Sequence, residues 1–268
     1  MKYGPWALVA GASEGLGAAF AEELAARGLS LVLVARRAAE LEALAASLRT
    51  KHGVDVHTAA LDLADPNVLD RVKGAIGSRE IGLLVYNAAY SEIGAFLDSS
   101  IEGKLKTLDV NCRAPLLLTD LLGKEMAARG RGGILLMSSL AGFQGSAMVS
   151  VYAATKAFNT VLGEGLWDEL RRHGVDVVPF IAGATTTPNF LKTDPKNGSG
   201  ALAPPLMSPE SVAREALESL GKGPHAVAGR ANRLALFVMD RFMGRRARIE
   251  MMGRATRKMY PPKSAPLR

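Results

Sequence analysis

A tyrosine and a lysine four residues apart, Tyr152 and Lys156, stand thirteen and seventeen residues after Ser139. All three follow a glycine-rich segment, Gly11-Ala-Ser-Glu-Gly15-Leu-Gly17. A spacing of four on a helix puts two side chains on one face, so the Lys156 ammonium is expected beside the Tyr152 phenol. A cation there favours the phenolate and brings a group whose ordinary pKa is about 10 towards the range where it can exchange a proton at neutral pH. Ser139, brought alongside, can hydrogen-bond the same substrate oxygen. Together the residues read as an oxidoreductase site.

Such a site needs a scaffold that brings distant segments to one place. Short aliphatic runs rich in Val, Leu and Ile, at Ala7–Ala10, Leu31–Ala35, Val54–Leu61, Leu83–Tyr86, Ile134–Met137 and Val175–Ile181, are too short for helices and read as buried strands. Between them, segments near 15–27, 38–50, 66–77, 101–129, 150–173 and 209–221 carry Ala, Leu, Glu and Arg at helical spacing. This alternation predicts an α/β fold with a doubly wound parallel sheet, its right-handed crossovers laying helices on both faces. Ligands of such folds lie beyond the carboxyl ends of the strands, and the glycine turn, Asn87, Ser139 and Gly183 all directly follow strand candidates. One crevice should collect them.

The glycines have separate expected tasks. Gly11 permits a sharp exit from the first strand, Gly15 lets the backbone approach a pyrophosphate, and Gly17 lets the following helix pack closely on the sheet. The helix N-terminus then faces the phosphates. At the end of the second strand, where an acid would hold the ribose 2′-hydroxyl of NAD, the chain has Arg36 and Arg37. Forked, charge-assisted hydrogen bonds from guanidinium suit a 2′-phosphate, and no acid competes at this position, so NADP(H) is the expected cofactor. Ser13 adds a hydroxyl nearby.

Along the chain stand, in order, the glycine turn, Asn87-Ala88-Ala89, Asn111, Ser138-Ser-Leu-Ala-Gly142 and the Tyr152–Lys156 pair. In this order they resemble the short-chain dehydrogenase/reductase family, from residue 6 to near 190 and more loosely to a last strand near 225–229. The resemblance implies a Rossmann fold and a catalytic set of Asn111, Ser139, Tyr152 and Lys156. It implies that Tyr152 is the proton donor, that Lys156 also holds the nicotinamide ribose, and that Asn111 helps hold a water that relays protons to the lysine. It further implies a cofactor site comprising Gly11, Ser13, Glu14, Gly15, Leu16, Gly17, Arg36 and Arg37. Asp62 and Leu63 would frame the adenine, Asn87 with Ala88 the nearby ribose, and Thr187 the nicotinamide carboxamide, with Thr185 also at the cofactor. Two family motifs differ here: Asn-Asn-Ala-Gly becomes Tyr86-Asn87-Ala88-Ala89, and Pro-Gly becomes Ala182-Gly183.

In the family, the segment after the sixth strand closes over the cleft. Here it is 188–208, with Phe190, Leu191, Leu202, Leu206 and Met207 around a flexible Asn-Gly-Ser-Gly. Facing Phe143, Met148 and Tyr90, it implies a small hydrophobic ketone or aldehyde as substrate. The expected activity is an NADPH-dependent carbonyl reductase or alcohol dehydrogenase; the alternative is a non-catalytic NADP-binding sensor or scaffold.

At 268 residues and 48% hydrophobic composition the chain can bury one sizeable core. No run reaches the length of a membrane span, and a signal peptide is not expected, because the apolar stretch after Lys2 runs straight into the glycine turn. The single Cys112 fits a reducing, cytoplasmic setting, and His52, His57, His173 and His225 lack metal-ligand spacing. From His225 onward Lys and Arg outnumber acids 11 to two, within a chain of net charge +7. The basicity therefore belongs to a C-terminal helical extension, 230–268, appended to a dinucleotide-binding and catalytic unit, 1–229. Its apolar run Leu234–Met239 invites a sister subunit, as homodimer or homotetramer, and leaves peripheral contact with an anionic membrane open. Nucleic acid is not expected, since aromatics make up only 6% and no reading motif accompanies the arginines.

Overall fold

The computed structural model describes residues 2–192 and 206–260. Seven strands form one parallel sheet: β1 (Trp6–Ala10), β2 (Ser30–Ala35), β3 (Val56–Ala60), β4 (Ile81–Tyr86), β5 (Gly132–Ser139), β6 (Val175–Ala182) and β7 (Ala226–Val227), in the spatial order β3-β2-β1-β4-β5-β6-β7. Alternate residues of a strand face opposite sides. Ala7 and Val9 of β1 accordingly join one core with Phe20, Leu24, Val212 and Leu217, while Leu8 and Ala10 join another with Val68, Leu118 and Leu122. Because both faces are covered, the central strands β1, β2 and β4 are apolar nearly throughout rather than alternating.

The covering helices are α1 (Gly15–Ala26), α2 (Ala38–His52), α3 (Val68–Ile76), α4 (Ile101–Leu108), α5 (Ala114–Arg129), α6 (Ser150–Leu170), α7 (Pro188–Lys192) and α8 (Pro209–Ser219). The helix expected over 101–129 is divided. Asp109–Arg113 form a π-helical turn, in which the N–H of Ala114 reaches back to the carbonyl of Asp109. A single added residue widens the helix there and turns Asn111 wholly inward, where it is 0% exposed. The expected third strand also shortens at both ends, to Val56–Ala60, because it is the sheet edge and pairs only with β2.

Strand order reverses beside β1, whose neighbours are β2 and β4. This is the switch point at which an open α/β sheet presents a crevice. The C-terminal part is helical: α9 (Arg230–Phe242) and α10 (Arg245–Met259) are joined by an ion pair between Arg248 and Asp240. The Leu234–Met239 run lies on α9 and is not uniformly available. Leu236 is buried, while Leu234 and Phe237 are exposed. The tail 261–268 lies outside the described residues.

Candidate active site

The glycine turn is a cradle that side chains would fill. A Cβ on Gly11 would come within 2.6 Å of the Ala88 backbone, and one on Gly17 would collide with the carbonyl of Gly11. Gly15, at φ +55°, would meet the Thr187 side chain at 3.1 Å. Backbone bonds from Gly11 and Ala12 to the carbonyl of Val34, 2.7 and 3.2 Å, fasten the turn to the end of β2. Asn87 closes the other side, its Nδ2 donating to the Gly11 carbonyl at 3.0 Å. A narrow backbone surface at the start of α1 suits a pyrophosphate, so the residues present fit a dinucleotide. The Leu16 side chain packs on the core, leaving its backbone at this surface.

The catalytic candidates converge where β5 ends and α6 begins. Ser139, the last residue of β5, hydrogen-bonds the Tyr152 hydroxyl, and its Oγ also accepts from the N–H of Ala141 at 3.2 Å. Lys156, 3% exposed, donates from Nζ to the carbonyl of Met137 at 2.9 Å, and the same Nζ lies 5.6 Å from the centre of the Tyr152 ring. Asn111 is held on three sides. Its Oδ1 accepts from the N–H of Tyr90 at 2.8 Å, and its Nδ2 donates to the carbonyl of Tyr90 at 2.9 Å and to Oγ1 of Thr155 at 3.0 Å.

The electrostatics here depart from the expectation that the lysine lowers the tyrosine pKa. Burial pushes the Tyr152 phenol up; the Ser139 hydrogen bond lowers it, and Tyr260 nearby raises it further. Burial also brings Lys156 down to about 8. With its ammonium on the Met137 carbonyl, Lys156 contributes less to the phenol than desolvation does.

At the adenosine end the two arginines differ. Arg36 is exposed, and its charge helps hold the Asp62 carboxyl below the usual range, behind hydrogen bonds from Ala64 N–H at 3.0 Å and Lys106 Nζ at 3.3 Å. Arg37 instead places Nη2 3.0 Å from both Ser13 Oγ and Glu14 Oε2, with Nη1 3.7 Å from Glu40. The expectation that no acid competes here is therefore corrected, because the turn brings Glu14 over the end of β2. Leu63 is buried in the core beneath this end.

Beyond β6, Thr185 forms a parallel bridge with Met207, and Thr187 starts α7, its Oγ1 accepting from the N–H of Phe190 at 3.2 Å. Of the expected substrate wall, Met207 packs on the core, whereas Leu191 and Leu206 are exposed. Leu202 and the Asn-Gly-Ser-Gly segment lie outside the described residues.

The short chain dehydrogenase family profile matches residues 5–198. The chain belongs to this family. Short chain dehydrogenases are oxidoreductases that act on hydroxyl or carbonyl groups with nicotinamide cofactors, and that class is this protein's. The chain is 33% identical over 233 residues to the 7beta-hydroxysteroid dehydrogenase of Collinsella aerofaciens, covering 87% of this chain and 89% of that one. A solved structure described as giving insights into 7beta-hydroxysteroid dehydrogenase stereoselectivity superposes with a TM-score of 0.88 at 31% identity, over 94% of this chain and 97% of that one. A short-chain dehydrogenase from Sphingobium yanoikuyae in complex with NADPH superposes with a TM-score of 0.75 at 32% identity, over 88% and 93%.

Several residues of this candidate site were not anticipated from sequence. Thr155 and the Tyr90 backbone orient Asn111, Lys106 reaches Asp62, and Tyr260 from the end of α10 bears on Tyr152. Thr155 sits beside the Tyr–Lys pair and had a local signal. Tyr260, more than a hundred residues beyond Tyr152, had none.

Proposed function

We propose that the protein is an NADPH-dependent reductase of hydrophobic ketones or aldehydes, working in reverse on the corresponding alcohols. The carrying observation is the Ser139–Tyr152 hydrogen bond at the carboxyl end of β5, with buried Lys156 one helical turn behind the tyrosine. A reduced nicotinamide, when bound, supplies the hydride. Tyr152 donates its phenolic proton to the carbonyl oxygen, and Ser139 steadies that oxygen by a hydrogen bond. Lys156, shifted towards neutral pH by burial, returns a proton to Tyr152 and also binds the nicotinamide ribose. Asn111, immobilised by Tyr90 and Thr155, supports the water that resupplies the lysine. Gly11, Gly15 and Gly17 admit the pyrophosphate, and Arg36 and Arg37 take the 2′-phosphate.

Two further features support an apolar substrate. Phe143 and Met148 lie between Ser139 and Tyr152, Tyr90 follows the neighbouring strand β4, and the Collinsella relative is a hydroxysteroid dehydrogenase. A panel of steroids, aromatic ketones, acyl ketones and sugars, followed by NADPH oxidation, tests the reading. Apolar carbonyls should give the highest kcat/KM; a sugar exceeding all of them would refute the substrate class, and no turnover on any carbonyl would refute the reductase.

The same reading includes a cytoplasmic homodimer or homotetramer held through α9, whose Leu234, Phe237 and Phe242 are 64%, 65% and 73% exposed. Among the described residues no helix is long and apolar enough to cross a membrane. Replacing Phe237 and Phe242 by Ser should lower the mass measured by light scattering, and an unchanged mass would exclude this face as the interface.

A further inference from the structure

We infer that Glu14 is a specificity-determining residue: it engages Arg37 and thereby narrows the preference for NADPH over NADH. The inference rests on the NADPH reading above and concerns how far this chain departs from it. β1 and β2 are neighbours, and the bonds from Gly11 and Ala12 to Val34 fix the glycine turn against the end of β2. Residues 13 and 14 are thereby carried over residues 36 and 37. One terminal nitrogen of Arg37 then serves both Ser13 Oγ and Glu14 Oε2 at 3.0 Å, and the other lies 3.7 Å from Glu40. One arm of the fork that would grip a 2′-phosphate is thus already held by a carboxylate and a hydroxyl, with a second carboxylate near the other arm.

The Glu14 carboxylate acts with opposite sign on the two cofactors. Towards a 2′-phosphate it is a like charge, and it competes for one of the guanidinium nitrogens the phosphate needs. Towards the 2′-hydroxyl of NADH it is an acceptor, the part an acid plays in NAD sites. Arg36, next in the chain to Arg37, is exposed and still favours the phosphate, so the preference is narrowed rather than reversed. Glu14 and Arg37 are 32% and 38% exposed, so water and salt screen the pair and the effect is moderate.

The test is equilibrium titration of the full chain and its Glu14→Gln variant with NADPH, NADH, 2′,5′-ADP and ADP. In the variant the NADPH constant should fall and the NADH constant rise, widening their ratio by about three- to tenfold. The 2′,5′-ADP to ADP ratio should widen alongside, since neither fragment carries a nicotinamide. A purely structural role would move both members of each pair together. Ratios that stay fixed or narrow overturn the inference, and Glu14→Ser provides the same readout if Glu14→Gln does not fold. Equal NADPH and NADH constants in the unmodified protein would refute the NADPH reading alone, because the change on substitution still reports on Glu14.

Discussion

The two ends of the crevice are built from different interactions. At the ends of β5 and α6, Asn111, Ser138, Thr155 and Lys156 are each at most 3% exposed and bonded to backbone or to one another. At the end of β2, Arg37, Glu14 and Glu40 are long, charged and between 32% and 50% exposed. Buried polar groups joined by short bonds have one arrangement, since breaking any bond leaves an unsatisfied group. Exposed ion pairs can rearrange and are weakened by salt. The first end suits a reaction that depends on fractions of an ångström, the second a preference tuned by adding or removing charge.

The largest effect expected from this contrast is at Tyr152. Tyr152→Phe deletes the proposed proton donor while keeping the ring, and should lower kcat by about 10²–10⁴-fold. NADPH affinity should stay within about twofold, because the phosphate-binding end is untouched. Steady-state kinetics on a confirmed substrate, paired with NADPH titration, separates the two; near-full turnover would break the division between the ends.

Next is the stability cost of the buried lysine. Burial lowers the Lys156 pKa from 10.5 in the unfolded chain to about 8 in the fold. Between those values the unfolded chain binds the extra proton, so stability rises with pH across that window, and the penalty is complete below it. Lys156→Met should abolish turnover yet stabilise the cofactor-free protein at pH 7 by about 2 kcal/mol, roughly 3 from the shift less about 1 for the lost bond to Met137. The gain should shrink towards pH 10. Urea unfolding at the two pH values checks it, and a variant less stable than the parent at pH 7 would show that the ammonium is compensated within the fold.

Local patterns made much of this site legible. The strands betray themselves by Val, Leu and Ile runs, and the Tyr152–Lys156 spacing puts both residues on α6 whatever else the chain does. The π-helical turn at Asp109–Arg113 was not legible, because one extra residue per turn hardly disturbs the composition of 101–129. Nor was the meeting of Glu14 with Arg37, twenty-three positions apart. It arises only when β1 and β2 lie side by side, and the charge reading at 36–37 alone omits a carboxylate delivered by the turn that follows β1. Tyr260 is the same case at longer range: the basic composition of the C-terminus says nothing about where the end of α10 lies.

Of similar size, and the one that sharpens the contrast most, is the effect at Arg36. Arg37 is shared with Ser13, Glu14 and Glu40, whereas Arg36 is exposed and its field reaches Asp62, so Arg36 should carry more of the 2′-phosphate recognition. A charge-assisted hydrogen bond contributes about 1.5–3 kcal/mol, or roughly ten- to a hundredfold in affinity. Arg36→Asp should therefore erase or invert the preference for NADPH while leaving kcat with saturating cofactor nearly unchanged. Raising the salt concentration should narrow the preference of the unmodified protein in the same direction, since these charges face water. Equal dissociation constants for NADPH and NADH before any substitution would remove Arg36 from this role. A large fall in kcat on Arg36→Asp would mean that the two ends of the crevice are coupled.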